Sequence, residues 1–261
     1  NIKANKSISE LVDLDQLFVP PGPGDESISI GAAWLQFIKK GGNINEIPIY
    51  TNAYFGPSFS IKEIENEINK LDKNIFEYRE TTNKEVAQLI SNGEVVARFG
   101  PEKMEFGARA LGNRSILADP RNQDTINHIN KLVKMRDFWM PFAPSIIEER
   151  QDDYIINPKK IDARYMAIGF DSTILAREHL PAGLHPFDKT MRPQIVYQKD
   201  NLSYHSLIKE FENITGVGAL MNTSFNIHGE PIVGSPYDAI DTLKRCGLKH
   251  LYLGNFLVSK R

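Results

Sequence analysis

Three arginines, an asparagine and a serine fall within the run Arg109-Ala110-Leu111-Gly112-Asn113-Arg114-Ser115-Ile116-Leu117-Ala118-Asp119-Pro120-Arg121. A guanidinium offers a fixed fork of N–H donors that matches phosphate or carboxylate oxygens. This density of forks suits a compact, multiply charged anion. The competing role for the same arginines is pairing with neighbouring Asp and Glu.

Further stretches share this composition. Lys134 and Arg136 stand at the end of a helical pattern, ahead of Phe138-Trp139-Met140-Pro141-Phe142-Ala143-Pro144, which reads as a rigid aromatic turn. Two cations at a helix end also suit the helix dipole. Asp188-Lys189-Thr190-Met191-Arg192-Pro193-Gln194 sets cations and hydrogen-bonding side chains beside a strand. Met221-Asn222-Thr223-Ser224-Phe225-Asn226-Ile227-His228 leaves an apolar segment and turns polar. In an extended chain Asn222, Ser224 and Asn226 share one face, which favours a ligand pocket over turn chemistry. His228 is either a candidate base or an ordinary surface histidine.

No Walker loop, dinucleotide fingerprint, carboxylate pair or Ser-His-Asp grouping accompanies these stretches. An anion site without a protein nucleophile fits activation of an oxyanion by a nucleotide. Arg and Lys would neutralise the developing charge, and magnesium would bridge the phosphates.

A scaffold must bring these stretches together. Residues 11–23 read as a short strand ending in a turn stiffened by Pro20, Pro21 and Pro23. Residues 28–39 have helical spacing, and Gly41-Gly42 stops them. Residues 43–60 show no period and read as a connector. Ser60 with Glu63 predicts a capped helix over 61–71. Thr82 or Asn83 caps a helix over 84–91, which Gly93 ends before a strand over 95–99. Helices are expected over 122–133, 204–211 and 236–246, with strands over 195–197, 217–221, 251–252 and 256–258. Irregular alternation of this kind favours a mixed sheet over a repeating parallel unit.

The chain has 261 residues, enough for one large or two smaller domains. Its 31 Lys and Arg against 33 Asp and Glu leave a net charge of -2, which gives no global case for nucleic acid. The single cysteine, Cys246, excludes an internal disulfide and a Cys-rich zinc site and points to a reducing compartment, the cytoplasm. No apolar stretch approaches the roughly 20 residues that span a bilayer. Residues 1–15 resemble neither a signal peptide nor a basic anchor. A first residue other than Met suggests a fragment of a longer protein.

On these residues the chain resembles the C-terminal half of the O-carbamoyltransferases of nodulation and antibiotic biosynthesis, a family that includes the cephem and tobramycin carbamoyltransferases. Met104 through Arg121 carries the resemblance. Val133-Lys134-Met135-Arg136, Pro141 to Pro144, Asp188 to Gln194, Asn222 to Asn226 and Gly229 to Val233 extend it over about residues 80–258.

The resemblance implies an α/β fold. Residues 80–261 would form a YrdC-like mixed twisted sheet with flanking helices, and 51–79 a connector with a helix. Residues 1–50 would be the end of an actin-like ATPase domain. In this family the YrdC-like part joins carbamoyl phosphate to ATP, with Mg2+, giving carbamoyl adenylate and pyrophosphate. An N-terminal actin-like half, of which this sequence would hold only the end, then passes the carbamoyl group to a hydroxyl of a small-molecule acceptor.

By the same resemblance, Lys103, Arg109, Arg114, Lys134 and Arg136 would hold phosphates. Arg192, Asn222 and Ser224 would orient the carbamoyl or adenylate group, with Asn113, Ser115, Asn226 and His228 as further binding residues. Asp25 matches a ligand of an iron-type metal whose histidine partners lie upstream in that family. Met140 and His228 stand where arginines are common. The alternative is a nucleotide- or RNA-binding module without independent catalysis. Near-neutral charge and few aromatics among the basic residues weigh against RNA.

Overall fold

Local caps start several helices in the way the sequence specifies. A computed structural model describes residues 1–47, 51–134 and 141–261. In it α1 (Ile2–Ser9) begins at the side-chain cap of Asn1. Next, α2 (Ile28–Lys39) ends ahead of Gly41, whose positive φ turns the chain away. None of the α2 residues is buried, although Ile28 and Leu35 are among them. Reciprocal capping boxes open α3 (Ile61–Ile68), through Ser60 and Glu63, and α4 (Asn83–Ser91), through Thr82 and Glu85.

The strands follow hydrophobic runs. They are β1 (Phe76–Glu80), β2 (Val96–Phe99), β3 (Arg114–Ala118) and β4 (Ala143–Ile147). The short β5 (Ile155–Ile156) and β6 (Asp171–Ser172) pair only with each other, and β7 (Gln194–Val196), β8 (Ala219–Ser224), β9 (His250–Leu253) and β10 (Phe256–Lys260) complete the set. The later helices are α5 (Asp124–Ile129), α6 (Gln151–Tyr154), α7 (Ile174–His179), α8 (Leu202–Thr215) and α9 (Pro236–Arg245).

Among the described residues, eight strands form one sheet in the order β1-β10-β9-β2-β3-β8-β4-β7. The β9–β2 and β4–β7 pairs are parallel and the others antiparallel, so the sheet is mixed, as expected. Successive side chains point to opposite faces. Leu117 of β3 therefore joins a core with Val86 and Ile90 of α4 and Leu207 and Phe211 of α8. Its neighbour Ile116 joins a second core with Ile64 of α3, Ile129 of α5 and Leu243 of α9. Helices thus cover both sheet faces.

The structure corrects several expectations. Residues 11–23 contain no strand. Leu17 and Val19 pack partly on the core, but Pro20, Pro21 and Pro23 remove the donors a ladder needs. The helix over 122–133 is α-helical only to Ile129 and continues as a π-turn, Asn130–Lys134. Ala143 and Pro144, read as part of a turn, begin β4, while residues 138–140 of that stretch lie outside the described residues. The sheet starts at Phe76, ahead of residue 80. The expected connector is also engaged. Gly56 N donates to Met104 O at 2.9 Å, Met104 N to Pro57 O at 2.9 Å and Phe106 N to Ala53 O at 2.7 Å.

Candidate anion-binding site

The arginine run is a rigid turn entering β3, and one buried carboxylate organises it. Glu105 Oε1 accepts N–H bonds from Leu111 at 2.7 Å, Asn113 at 2.7 Å and Arg114 at 3.2 Å. Three donors on one ionised oxygen fix the backbone more firmly than neutral acceptors would. Gly112 has φ +116, and any Cβ there would collide with the Tyr204 ring, so only glycine suits the turn.

A second network holds the turn's carbonyls. Asn222 Nδ2 donates to Ala110 O at 3.2 Å and to Ser145 Oγ at 3.0 Å. Gln194 Nε2 and Tyr54 Oη donate to Leu111 O at 2.8 and 2.9 Å, and Ser145 Oγ donates to Gln194 Oε1 at 2.7 Å. Arg98 Nη1 donates to Gly112 O at 2.5 Å and to Asn113 Oδ1 at 2.9 Å. Every residue from Ala110 to Asn113 is therefore tied by its backbone, which sets where Arg109 starts.

Arg109 is exposed and lines a recess of about 50 Å³ with Arg192, Asn222, Thr223 and Ser224. The strand register explains the gathering. Ser115 of β3 pairs with Ser224 of β8, and Asn222 pairs with Ala143 of β4. One sheet edge thus carries the starts of β3, β4 and β7 and the end of β8. Arg109, Phe142 and Arg192 also line a larger cleft of about 780 Å³, a size typical of small-molecule sites.

Behind Ser224 lies Lys134, whose side chain is 1% exposed. Its Nζ donates to Ser224 Oγ at 3.0 Å, Asn226 O at 3.0 Å and Asn226 Oδ1 at 2.6 Å. Ser224 Oγ donates to Asn226 Oδ1 at 2.6 Å. The result is a desolvated ammonium directly behind a hydroxyl that faces the recess. Low local dielectric strengthens its attraction for an anion there.

Other residues singled out in the sequence lie elsewhere. Arg114 is fully buried, its guanidinium 3.5 Å from the Phe99 ring centroid, and it donates to the carbonyls of Gly100, Asn113 and Pro57. Burial pushes its pKa down to about 10, so it remains a cation at neutral pH. Asn113 is equally buried, linking Arg98, Asn201 and Lys103 O, and Ser115 Oγ accepts from Gly112 N. These three support the turn from beneath. Lys103 is exposed on the preceding loop, and His228 is exposed in a turn beyond β8. Arg136 and Met140 lie outside the described residues. Glu105, Arg98, Ser145 and Tyr54 were not distinguished by residue type or spacing. A carboxylate six residues before a Leu-Gly-Asn turn is the one sequence signal that could have found Glu105.

Asp25 is exposed at the start of a single 3-10 turn. Among the described residues, no three His, Cys, Asp or Glu side chains group closely enough to hold a metal. The described residues by themselves do not fit an iron site. Among the described residues no helix is long and apolar enough to cross a membrane.

Comparisons with known proteins give the family. Residues 87–260 match the model of the family described as the carbamoyltransferase C-terminus. The chain belongs to this family. It is 38% identical over 265 residues to an uncharacterized protein, MJ1058, of Methanocaldococcus jannaschii, covering all of this chain and 43% of that one. It is 34% identical over 252 residues to nodulation protein NolO of Bradyrhizobium diazoefficiens, covering 95% of this chain and 45% of that one. The chain thus spans less than half the length of these relatives. A partial structural likeness, with a TM-score of 0.46 and 19% identity, is to full-length HypF in a phosphate- and nucleotide-bound form, over 66% of this chain and 24% of that one.

Proposed function

We propose that this chain is the adenylate-forming portion of an ATP-dependent O-carbamoyltransferase. The observation that carries the reading is the convergence of Arg109, Arg192, Asn222 and Ser224 on one small recess that shares its wall with a nucleotide-sized cleft. Family membership supplies the carbamoyl chemistry.

Carbamoyl phosphate sits in the recess, its phosphate gripped by the Arg109 and Arg192 forks. Asn222 and Ser224 meet the carbamoyl group. Water cleaves the carbamoyl–phosphate bond, and orthophosphate leaves. The freed carbamate oxygen attacks the α-phosphorus of ATP, the bond to the β-phosphate oxygen breaks, and pyrophosphate departs. Lys134 stabilises negative charge from behind Ser224, and Mg2+ entering with ATP would supply further charge neutralisation. No protein nucleophile is needed. Transfer to a small-molecule hydroxyl belongs to the longer protein, in an actin-like portion outside this chain.

The test is product stoichiometry. The purified chain with ATP, magnesium and carbamoyl phosphate should release pyrophosphate and orthophosphate in equal amounts, and neither without both substrates. Pyrophosphate release that ignores carbamoyl phosphate, or no release at all, overturns the assignment.

A further inference from the structure

We propose that helix α1 supplies two more cations, Lys3 and Lys6, to the polyphosphate chain of a nucleotide bound in the 780 Å³ cleft. The proposal rests on the nucleotide reading above and extends it to residues outside the segment 87–260 that matches the family.

Lys3 and Lys6 stand three residues apart on one helix face, and both line the cleft that Arg109 and Arg192 also line. The helix is seated firmly. Asn5 Nδ2 donates to Ala167 O at 2.8 Å, and Lys159 Nζ holds the chain after the helix at Leu14 O, 2.8 Å away. Ile2 comes so near Gly169 that a Cβ on the glycine would lie 3.2 Å from Ile2 Cγ2. This wall is therefore a built part of the cleft.

Each lysine is held by an aspartate of the same cleft. Lys3 Nζ is 2.7 Å from Asp188 Oδ2, and Lys6 Nζ is 3.2 Å from Asp171 Oδ2, with Glu10 as its second partner. Those aspartate side chains are 38% and 52% exposed. The Lys3–Asp188 pair is exposed on both sides and worth only about 0–1 kcal/mol, whereas the Lys6 side chain is 19% exposed and has two carboxylate partners, so recruiting it takes the several charges of a polyphosphate. Among the described residues, four cations of the lining (Lys3, Lys6, Arg109, Arg192) face its two carboxylates (Asp171, Asp188) and Glu10 beside Lys6, a surplus of positive charge. On nucleotide binding the lysines leave the aspartates for β- and γ-phosphate oxygens, while the two arginines keep the smaller anion.

A fluorescent N-methylanthraniloyl ATP and the matching AMP, with magnesium, provide the test by anisotropy on the full chain. The K3A/K6A double variant should weaken ATP-analogue binding about tenfold while changing AMP-analogue binding less than about twofold. D171N/D188N removes the Lys3–Asp188 and Lys6–Asp171 pairs but keeps the lysines and the Lys6–Glu10 pair, and should bind the ATP analogue as well as or better than wild type. Lys62→Ala, on α3 and outside the cleft, should change nothing. Undiminished ATP-analogue binding in K3A/K6A overturns the proposal alone, as does an equal loss in D171N/D188N or in Lys62→Ala. Wild type that binds neither analogue overturns the nucleotide reading itself, and the proposal with it.

Discussion

Oε1 of Glu105 accepts the Asn113 N–H at 2.7 Å, and the same oxygen takes the N–H groups of Leu111 and Arg114. This one atom closes the turn that launches Arg109. Glu105→Ala strands three donors, two of them on fully buried residues. It should cost about 3 kcal/mol in urea denaturation. Carbamoyl-phosphate-dependent turnover should fall further than the unfolded fraction explains, because Arg109 loses its fixed origin. Glu105→Gln keeps one acceptor oxygen and should lie between. Wild-type stability in Glu105→Ala would remove the organising role.

Arg109 and Arg114 are both arginines of one run, yet they should separate cleanly. Arg114→Lys loses the stack on Phe99 and the fork that reaches three carbonyls. A loss of about 2 kcal/mol is expected, with the KM for carbamoyl phosphate unchanged in the folded fraction. Arg109→Ala, at an exposed position, should stay within about 0.5 kcal/mol of wild type and raise that KM. Paired denaturation and steady-state kinetics decide the matter. A stable Arg114→Lys with a raised KM would return Arg114 to the substrate.

The contrast shows what the sequence carries. The capping boxes at Ser60 and Thr82 were legible because both partners lie within one turn. The shared face of Asn222 and Ser224 was legible because strand alternation is local too, whereas Asn226 lies in a bend past the end of β8. By contrast, β3 and β4 are hidden because all five residues of each are buried. An interior strand covered on both faces shows no alternation to read. Arg114 looked like a ligand because residue type reveals charge, whereas its partners are backbone carbonyls and an aromatic ring set by tertiary packing. The 53–57 segment showed no period because its bonds run to Met104 and Phe106 rather than to a regular neighbour.

Ser224 is the hydroxyl between Lys134 and the recess. Ser224→Ala leaves Lys134 bonded to Asn226 O and Oδ1, so the ammonium stays paired and the fold should be retained within about 1 kcal/mol. Turnover should nevertheless fall about 10- to 100-fold, since the hydroxyl that stands between the Lys134 ammonium and the recess is gone. Ser224→Thr, which restores the hydroxyl, should recover part of it. Melting and product release on the same preparations provide the check. Full activity in Ser224→Ala would place the carbamoyl group elsewhere.

The seating of α1 should respond to acid in a direction set by Asp188. Partial burial opposes its ionisation, but hydrogen bonds from Lys3 and Thr190 outweigh this and hold its carboxyl well below the ordinary carboxylate range. A carboxyl with a lower pKa in the folded state than its unfolded value of about 3.9 adds stability that is complete above that value. That stability drains away as pH falls towards the folded value. Hydrogen exchange of the α1 amides, corrected for intrinsic rates, should therefore show steady protection from pH 7 down to about 4 and a loss below it. Asp188→Asn should show weaker protection throughout and no such acid limb. Loss of wild-type protection near neutral pH, or an unchanged acid limb in Asp188→Asn, would mean that the Lys3–Asp188 contact adds nothing to the seating that Asn5, Lys159 and Ile2 provide.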